Sequence, residues 1–186
     1  LLRHRLPMVQ KHALRTVGNI ATGTALHWQY IINFGALPCL QMHLTSPEKD
    51  LSGEACWAIS NIIAGSASTG DKGQIQAVID ANIIPPLTQL LEESHPWNIR
   101  KLAAGAISNA ISGGLPEQIK VLVTQGCVPP LCELLGVATA WGGDPNPNFM
   151  ILVLEALENI LKVGLHPYTE SGQSGQPNMM AIMINE

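Results

Sequence analysis

A glutamate, a tryptophan and an asparagine lie at helical spacing in one stretch of the chain, residues 54–65, EACWAISNIIAG. At about 100° per residue, Glu54 and Asn61 fall within about 60° of Trp57, on one face of a helix. The carboxamide of an asparagine both donates and accepts hydrogen bonds, so it can bind the main chain of an extended peptide. An exposed indole can pack on the stem of a lysine, and a carboxylate one turn away can pair with its ammonium. These residue types predict a surface that binds a basic peptide.

The other faces of this helix predict how it packs. Ala58 and Ser60 lie at the flanks and are small enough to let similar helices approach on either side. The face opposite the tryptophan is apolar and should be buried; it consists of Ala55, Cys56, Ile59, Ile62 and Ile63.

The same pattern recurs three more times in the chain. The four copies, LRTVGNIATG, CWAISNIIAG, AGAISNAISG and LEALENILKVG, align on one asparagine each: Asn19, Asn61, Asn109 and Asn159. The copies are 42, 48 and 50 residues apart, a period typical of solenoids built from two-helix or three-helix units.

The apolar faces of the copies recur as well. They comprise Ala13, Leu14, Val17, Ile20 and Ala21 in the first copy, Ala103, Ala104, Ile107, Ala110 and Ile111 in the third, and Val153, Leu154, Leu157, Ile160 and Leu161 in the fourth. A single unit cannot bury such a stripe, so we expect the asparagine-bearing helices to stack side by side.

A second motif precedes each of the last three copies: FGALPCLQMHL, ANIIPPLTQLL and QGCVPPLCELL. Gly35, Asn82 and Gly126 in these motifs predict the end of one short helix, and the prolines that follow suit the first turn of the next. The predicted helices of the three units are 27–33, 36–45 and 50–64; 74–81, 83–93 and 98–112; and 116–125, 127–136 and 147–162.

The segments 66–73 and 138–147 are rich in Gly, Ser and Pro, and they predict surface loops inserted between units. Residues 165–177 have the same character and predict a linker. The last residues, 178–186, resemble the beginning of a further unit.

Composition narrows the class of function. A net charge of −4 argues against a nucleic-acid surface and suits a partner rich in Lys and Arg. No apolar run predicts a membrane span or a signal peptide. The four cysteines lack a CxxC pair and the six histidines lack ligand spacing, so we expect structural thiols, no metal and no cofactor. No nucleophile and base are paired by a motif, so an enzyme is not predicted.

The segments RTVGNI, GALPCL, EACWAISNI, QIQAVIDANII, AISNA and LENILKVG, in this order, resemble the armadillo-repeat domain of importin-α (karyopherin-α). The resemblance implies an all-α, right-handed armadillo superhelix over residues 1–164, divided into the end of one repeat (1–24) and repeats 25–65, 66–114 and 115–164. Residues 165–186 would be a linker and an incomplete further repeat.

The resemblance also implies a function. Importin-α binds the nuclear localisation signals of cargo proteins in a concave groove lined by tryptophans and asparagines, and it works in the cytoplasm and the nucleus. Carried over by position, the binding residues of this chain are Arg15, Asn19, Glu54, Trp57, Asn61 and Asn109. They correspond to the minor signal-binding site of the family. For Trp57 the alternative is a core residue, and for the asparagines it is a surface amide.

The sequence departs from the family pattern at Gly105, where the family has a groove tryptophan, and at Leu102, where it has a glutamate. The basic N-terminal segment that engages importin-β is absent from this sequence, which makes importin-β binding doubtful. The alternative hypothesis is therefore a vestigial or structural armadillo fragment without transport activity. Trp28, Trp97 and Trp141 lie outside the asparagine helices and are expected to be packing or loop residues.

Overall fold

The computed structural model describes residues 1–69, 72–92, 94–140 and 147–170, and the regular structure in this part of the chain is helical. The helices are α1 (Pro7–Ala21), α2 (Ala25–Asn33), α3 (Ala36–Leu44), α4 (Lys49–Thr69), α5 (Gly73–Asp80), α6 (Ile84–Gln89), α7 (Trp97–Gly113), α8 (Pro116–Thr124), α9 (Val128–Ala140) and α10 (Pro147–Glu170).

The boundary between the two short helices of each unit is set by one residue with a left-handed backbone. Gly35, Asn82 and Gly126 have φ angles of 70°, 52° and 82°, a region that glycine enters without strain and asparagine tolerates better than most residues. The prediction that these three positions separate two helices is confirmed.

Three units of three helices follow α1, and like helices of successive units pack on each other. The long third helices form a row in the order α1, α4, α7, α10, while α2 packs on α5, α5 on α8, and α3 on α6. The row places the four asparagine-bearing segments side by side, as the repeated stripes predict.

The predicted core stripe of α4 is fully buried, as is that of α7, where no predicted residue is more than 1% exposed. The predictions for Ile20 and Leu154 are wrong, because these side chains are 43% and 53% exposed. Both belong to the outer helices of the described row, α1 and α10, each of which packs on one neighbour in the row instead of two.

Three predicted non-helical segments are partly helical. Residues 66–69 continue α4, residues 138–140 continue α9, and residues 165–170 continue α10 through Pro167. Each residue added to an existing helix gains a hydrogen bond without a new nucleation cost, so small polar residues alone do not end it. The tolerance of Pro167 is not anticipated by this rule. Lys72 precedes α5, while Gly73 and Pro147 are the first residues of α5 and α10. The rest of the three predicted segments, residues 70–71, 141–146 and 171–177, lies outside the described residues, as does the predicted start of a further unit at 178–186.

Helix α6 is shorter than predicted and ends at Gln89 instead of residue 93. Its last turn tightens, because the N–H groups of Leu91 and Glu92 donate to the carbonyls three residues earlier. Just after this turn, the buried Arg100 donates from Nε to the Leu91 carbonyl at 2.7 Å and gives that carbonyl a hydrogen-bond partner.

Two of the remaining tryptophans and two of the cysteines occupy packing positions. Trp28 is buried on α2, and Trp97 packs edge-on against Phe149 with ring centroids 6.1 Å apart; Trp141 lies outside the described residues. Cys56 and Cys127 are buried, and burial raises the pKa of each thiol to about 12. Both are therefore inert, protonated core residues at neutral pH.

No single helix in the described ranges is long and apolar enough to cross a membrane; α8 taken together with residues 128–137 of α9 reaches the required length and hydropathy, with a bend of 76° between them.

The same substitution should have opposite effects at two glycines that both face open space. Gly126 has φ of 82° and Gly105 lies within α7, and an added Cβ would meet no atom within 4 Å at either position. We expect Gly126→Ala to lower the free energy of unfolding by about 1–2 kcal/mol, through left-handed strain. Gly105→Ala should raise it by about 0.5–1 kcal/mol, through helix propensity. Denaturant titration of both variants measures the signs, and equal signs would contradict the role assigned to the backbone at Gly126.

Candidate peptide-binding groove

A groove of about 470 Å³ runs across the row of long helices from α1 over α4 to α7. Four of the six predicted binding residues, Arg15, Asn19, Glu54 and Trp57, line it. The other lining residues are Lys11, Lys49, Asp50, Gly53, Asn98 and Leu102.

Helices α1 and α4 meet along this groove in a constant register. Lys11 pairs with Asp50, Arg15 with Glu54, and Gly18 packs on Trp57, so that each contact joins residues 39 positions apart. A constant offset of this kind arises when two helices run parallel, and successive contacts then fall about one turn apart. The register fixes which side chain of α1 stands beside which side chain of α4.

The indole of Trp57 lies directly on the backbone of Gly18. A Cβ placed on Gly18 would come within 2.3 Å of Trp57 Cζ3 and 2.6 Å of Cε3. Non-bonded carbon atoms do not approach this closely, so a side chain at position 18 would force the indole to move. Gly18 itself is buried, whereas Trp57 is partly exposed. The indole is therefore supported from α1 while part of it faces the groove, and the alternative of Trp57 as a fully buried core residue is not what the structure contains.

The carboxylate of Glu54 is held by Arg15. Nη2 of Arg15 donates to Oε1 of Glu54 at 2.5 Å, and Nε donates to Oε2 at 3.2 Å. Such a fork engages both carboxylate oxygens at once. The Glu54 side chain is only 11% exposed, while Arg15 remains 58% exposed. From its position in the sequence, Glu54 is expected to pair with a lysine of the peptide; in the structure its carboxylate already has a cationic partner, Arg15.

A second ion pair, between Lys11 and Asp50, lies one turn earlier on both helices. The hydrogen bond and the positive charge of Lys11 hold the pKa of Asp50 below its ordinary value. Neither residue was among the sequence-predicted site residues. The sequence could have indicated them, because Lys11 and Asp50 each lie four residues before a predicted site residue and therefore share its helix face.

Lys49 belongs to the same groove and contacts His95, with Nζ 3.0 Å from Nδ1. Burial and the positive charges of Lys49 and Arg100 lower the pKa of His95, against the opposing effect of Glu92. The neutral imidazole is therefore the favoured form at neutral pH, and its Nδ1 accepts the hydrogen bond from Lys49.

Asn61 and Asn109 bind the neighbouring helix in the row. Nδ2 of Asn61 donates to the Gly18 carbonyl at 3.2 Å, and Nδ2 of Asn109 is 3.3 Å from Oγ of Ser60. The Gly18 carbonyl is one of the last four of α1, which have no partner within their own helix. Asn61 therefore caps the end of α1 as well as occupying the predicted binding face. Both side chains are partly exposed, and neither lines the groove around Trp57.

On the α7 side of the groove, the lining residues include no aromatic side chain. Leu102 lines the groove, and a Cβ on Gly105, one turn further along α7, would meet no atom within 4 Å. The position that carries a tryptophan in the family pattern is thus an open space. In the described residues no cluster of three or more His, Cys, Asp or Glu side chains has metal-binding geometry.

Comparison with known proteins identifies the type of repeat. A family model for the armadillo/beta-catenin-like repeat matches residues 25–64 and 71–112. A designed armadillo-repeat protein in complex with the peptide (KR)4 is similar over the whole chain and 76% of its own length, with a TM-score of 0.74 and 30% identity. Armadillo-repeat proteins designed for modular peptide recognition superimpose with a TM-score of 0.73 at 29% identity, over the whole chain and 76% of their own length.

Among curated relatives, importin subunit alpha-1a of Oryza sativa subsp. japonica is 49% identical over 187 aligned residues, as is importin subunit alpha-4 of Arabidopsis thaliana. These alignments include all of this chain and 33% and 32% of the two relatives. The chain thus spans about a third of the length of each. With the repeat architecture, the matching repeats and the full-length similarity in agreement, the chain belongs to the importin-α armadillo-repeat family.

Proposed function

We propose that this chain is part of an importin-α-like adaptor that binds the Lys/Arg-rich nuclear localisation signals of cargo proteins in the groove around Trp57. The observation that carries the proposal is the supported indole of Trp57 with carboxylates one and two turns away on the same helix, those of Glu54 and Asp50. A lysine stem packed on that indole would place its ammonium near these carboxylates.

Two further observations support a peptide as the ligand. The groove crosses three parallel helices, and amides from α1 and α7, Asn19 and Asn98, line it together with Trp57. Amides on successive helices suit the repeating main chain of an extended peptide. A solved armadillo-repeat relative is in complex with (KR)4, a peptide of alternating lysine and arginine. As a transport adaptor, the protein would act in the cytoplasm and the nucleus and would catalyse no reaction.

A second candidate, an armadillo fragment that folds without binding signals, is favoured by specific features of the same groove. Glu54 is already paired with Arg15, the Gly105 position is empty, and Asn61 and Asn109 bind neighbouring helices. A chain that unfolds cooperatively yet shows no affinity for (KR)4 would establish this candidate and overturn the first.

Trp57→Ala should weaken binding of (KR)4 by about 1–2 kcal/mol if the indole is a binding hot spot. Fluorescence anisotropy of a labelled peptide measures the change. Phe34→Ala is the matched control, because Phe34 is an aromatic side chain 85% exposed outside the groove. Equal affinities of the parent and Trp57→Ala for (KR)4 would contradict the proposal that the peptide binds in this groove.

Asn61→Ala should affect folding as well as binding. Loss of the hydrogen bond to the Gly18 carbonyl should lower the free energy of unfolding by about 1 kcal/mol. Weaker peptide binding by the fully folded variant would then report the second role of the amide. A variant that loses stability but binds (KR)4 like the parent would leave Asn61 with the capping role alone.

Gly105→Trp should strengthen peptide binding, because a Cβ added here meets no atom within 4 Å and the new indole would stand one turn from Leu102 of the groove lining. We expect a gain of about 0.5–2 kcal/mol for a second contact between an indole and a lysine. Gly105→Ala separates this gain from the effect of helix propensity. If both variants bind (KR)4 equally, the α7 side of the groove does not contact the peptide.

A further inference from the structure

We infer that Arg15 sets the affinity of the groove by occupying the Glu54 carboxylate as an internal competitor of the peptide lysine. The inference rests on the proposed function and assigns a specific role to one residue of the same groove. It reverses the sequence-based expectation that Arg15 contributes to binding.

Both oxygens of the Glu54 carboxylate are already engaged in the free protein. Arg15 donates to both oxygens of Glu54, at 2.5 and 3.2 Å. Arg15 uses two of the roughly four acceptor sites of this carboxylate, so a peptide ammonium that approached Glu54 would share the carboxylate with the guanidinium and meet its positive charge at close range. Binding through Glu54 therefore requires Arg15 to swing away or to share the carboxylate with a second cation.

Glu54 is about one helical turn from Trp57, whereas Asp50 is about two turns from it. A lysine whose stem packs on the Trp57 indole has the Glu54 carboxylate as its nearer anion. The two anions in the groove lining, Asp50 and Glu54, are each paired with a cation from α1, and Lys49 adds a further positive charge. The groove as it stands in the free protein is thus not an acidic surface.

Arg15 is 58% exposed, so water partly screens its ion pair with Glu54, whereas the Glu54 side chain is only 11% exposed. A pair that is open to water on the arginine side does not block the site but lowers the affinity of every cation that competes for the carboxylate. Removing the guanidinium should release Glu54 and tighten binding.

The chain contains a matched control for this idea. Lys11 and Asp50 form the equivalent pair one turn earlier, on the same two helices and in the same register. Arg15→Gln and Lys11→Gln each remove one positive charge from α1 and leave a carboxylate on α4 without its partner. Their difference isolates the effect of freeing Glu54 from the general effect of a more negative groove.

The test is a titration of the folded parent, Arg15→Gln, Lys11→Gln and Glu54→Gln chains with (KR)4, at two salt concentrations. We expect Arg15→Gln to bind more tightly than Lys11→Gln by about two- to fivefold, with a larger advantage at the lower salt concentration. Glu54→Gln should bind more weakly than the parent. In the double variant Arg15→Gln/Glu54→Gln, the gain from Arg15→Gln should disappear.

Weaker binding by Arg15→Gln would show that the guanidinium contacts the peptide and would overturn the inference. Equal gains for Arg15→Gln and Lys11→Gln would also overturn it, since only net charge would then matter. Either result leaves the proposed function intact if Trp57→Ala still weakens binding. Absence of binding by the parent and by Arg15→Gln alike would instead overturn the proposed function, and the inference with it.

Discussion

The register of α1 on α4 is the constraint on which the site depends. Gly18 has no side chain, so the indole of Trp57 can lie on the α1 backbone. With that contact set, Arg15 stands beside Glu54, Lys11 beside Asp50, and the Gly18 carbonyl within reach of Asn61. One close helix contact thus determines the positions of an aromatic surface, two ion pairs and a cap.

The features that serve packing and the features proposed to serve binding are largely the same residues. Asn61 completes the hydrogen bonding of α1, and Asn109 contacts α4 through Ser60. Arg15 and Glu54 join the two helices while they determine the charge of the groove. A groove built this way is organised before any ligand arrives, which reduces the entropy lost on binding. It also presents a ligand with polar groups that already have partners.

The repeat period and the apolar stripes were enough to predict the helical units and the burial of the α4 and α7 stripes. The motif in which a glycine or asparagine precedes proline was enough to predict that one short helix ends at Gly35, Asn82 and Gly126. They were not enough for the helix ends, because Ser, Thr and Ala after Gly65 allow a helix to continue as readily as a loop to begin. The face of Trp57 followed from helical angles alone. The pairing of Glu54 with Arg15 did not, since it depends on how far α1 slides along α4, a distance that no single helix encodes.

The contact between Gly18 and Trp57 makes two positions 39 residues apart interdependent. A larger residue at 18 is compatible with this packing only after the indole has been lost or has moved, whereas loss of the indole leaves glycine at 18 without a steric reason to remain. The order in which substitutions can accumulate without displacing the indole is therefore asymmetric: position 57 can change first, and position 18 only afterwards. In a related chain, a residue with a side chain at the equivalent of Gly18 would mark a repeat in which the aromatic residue is absent or lies elsewhere.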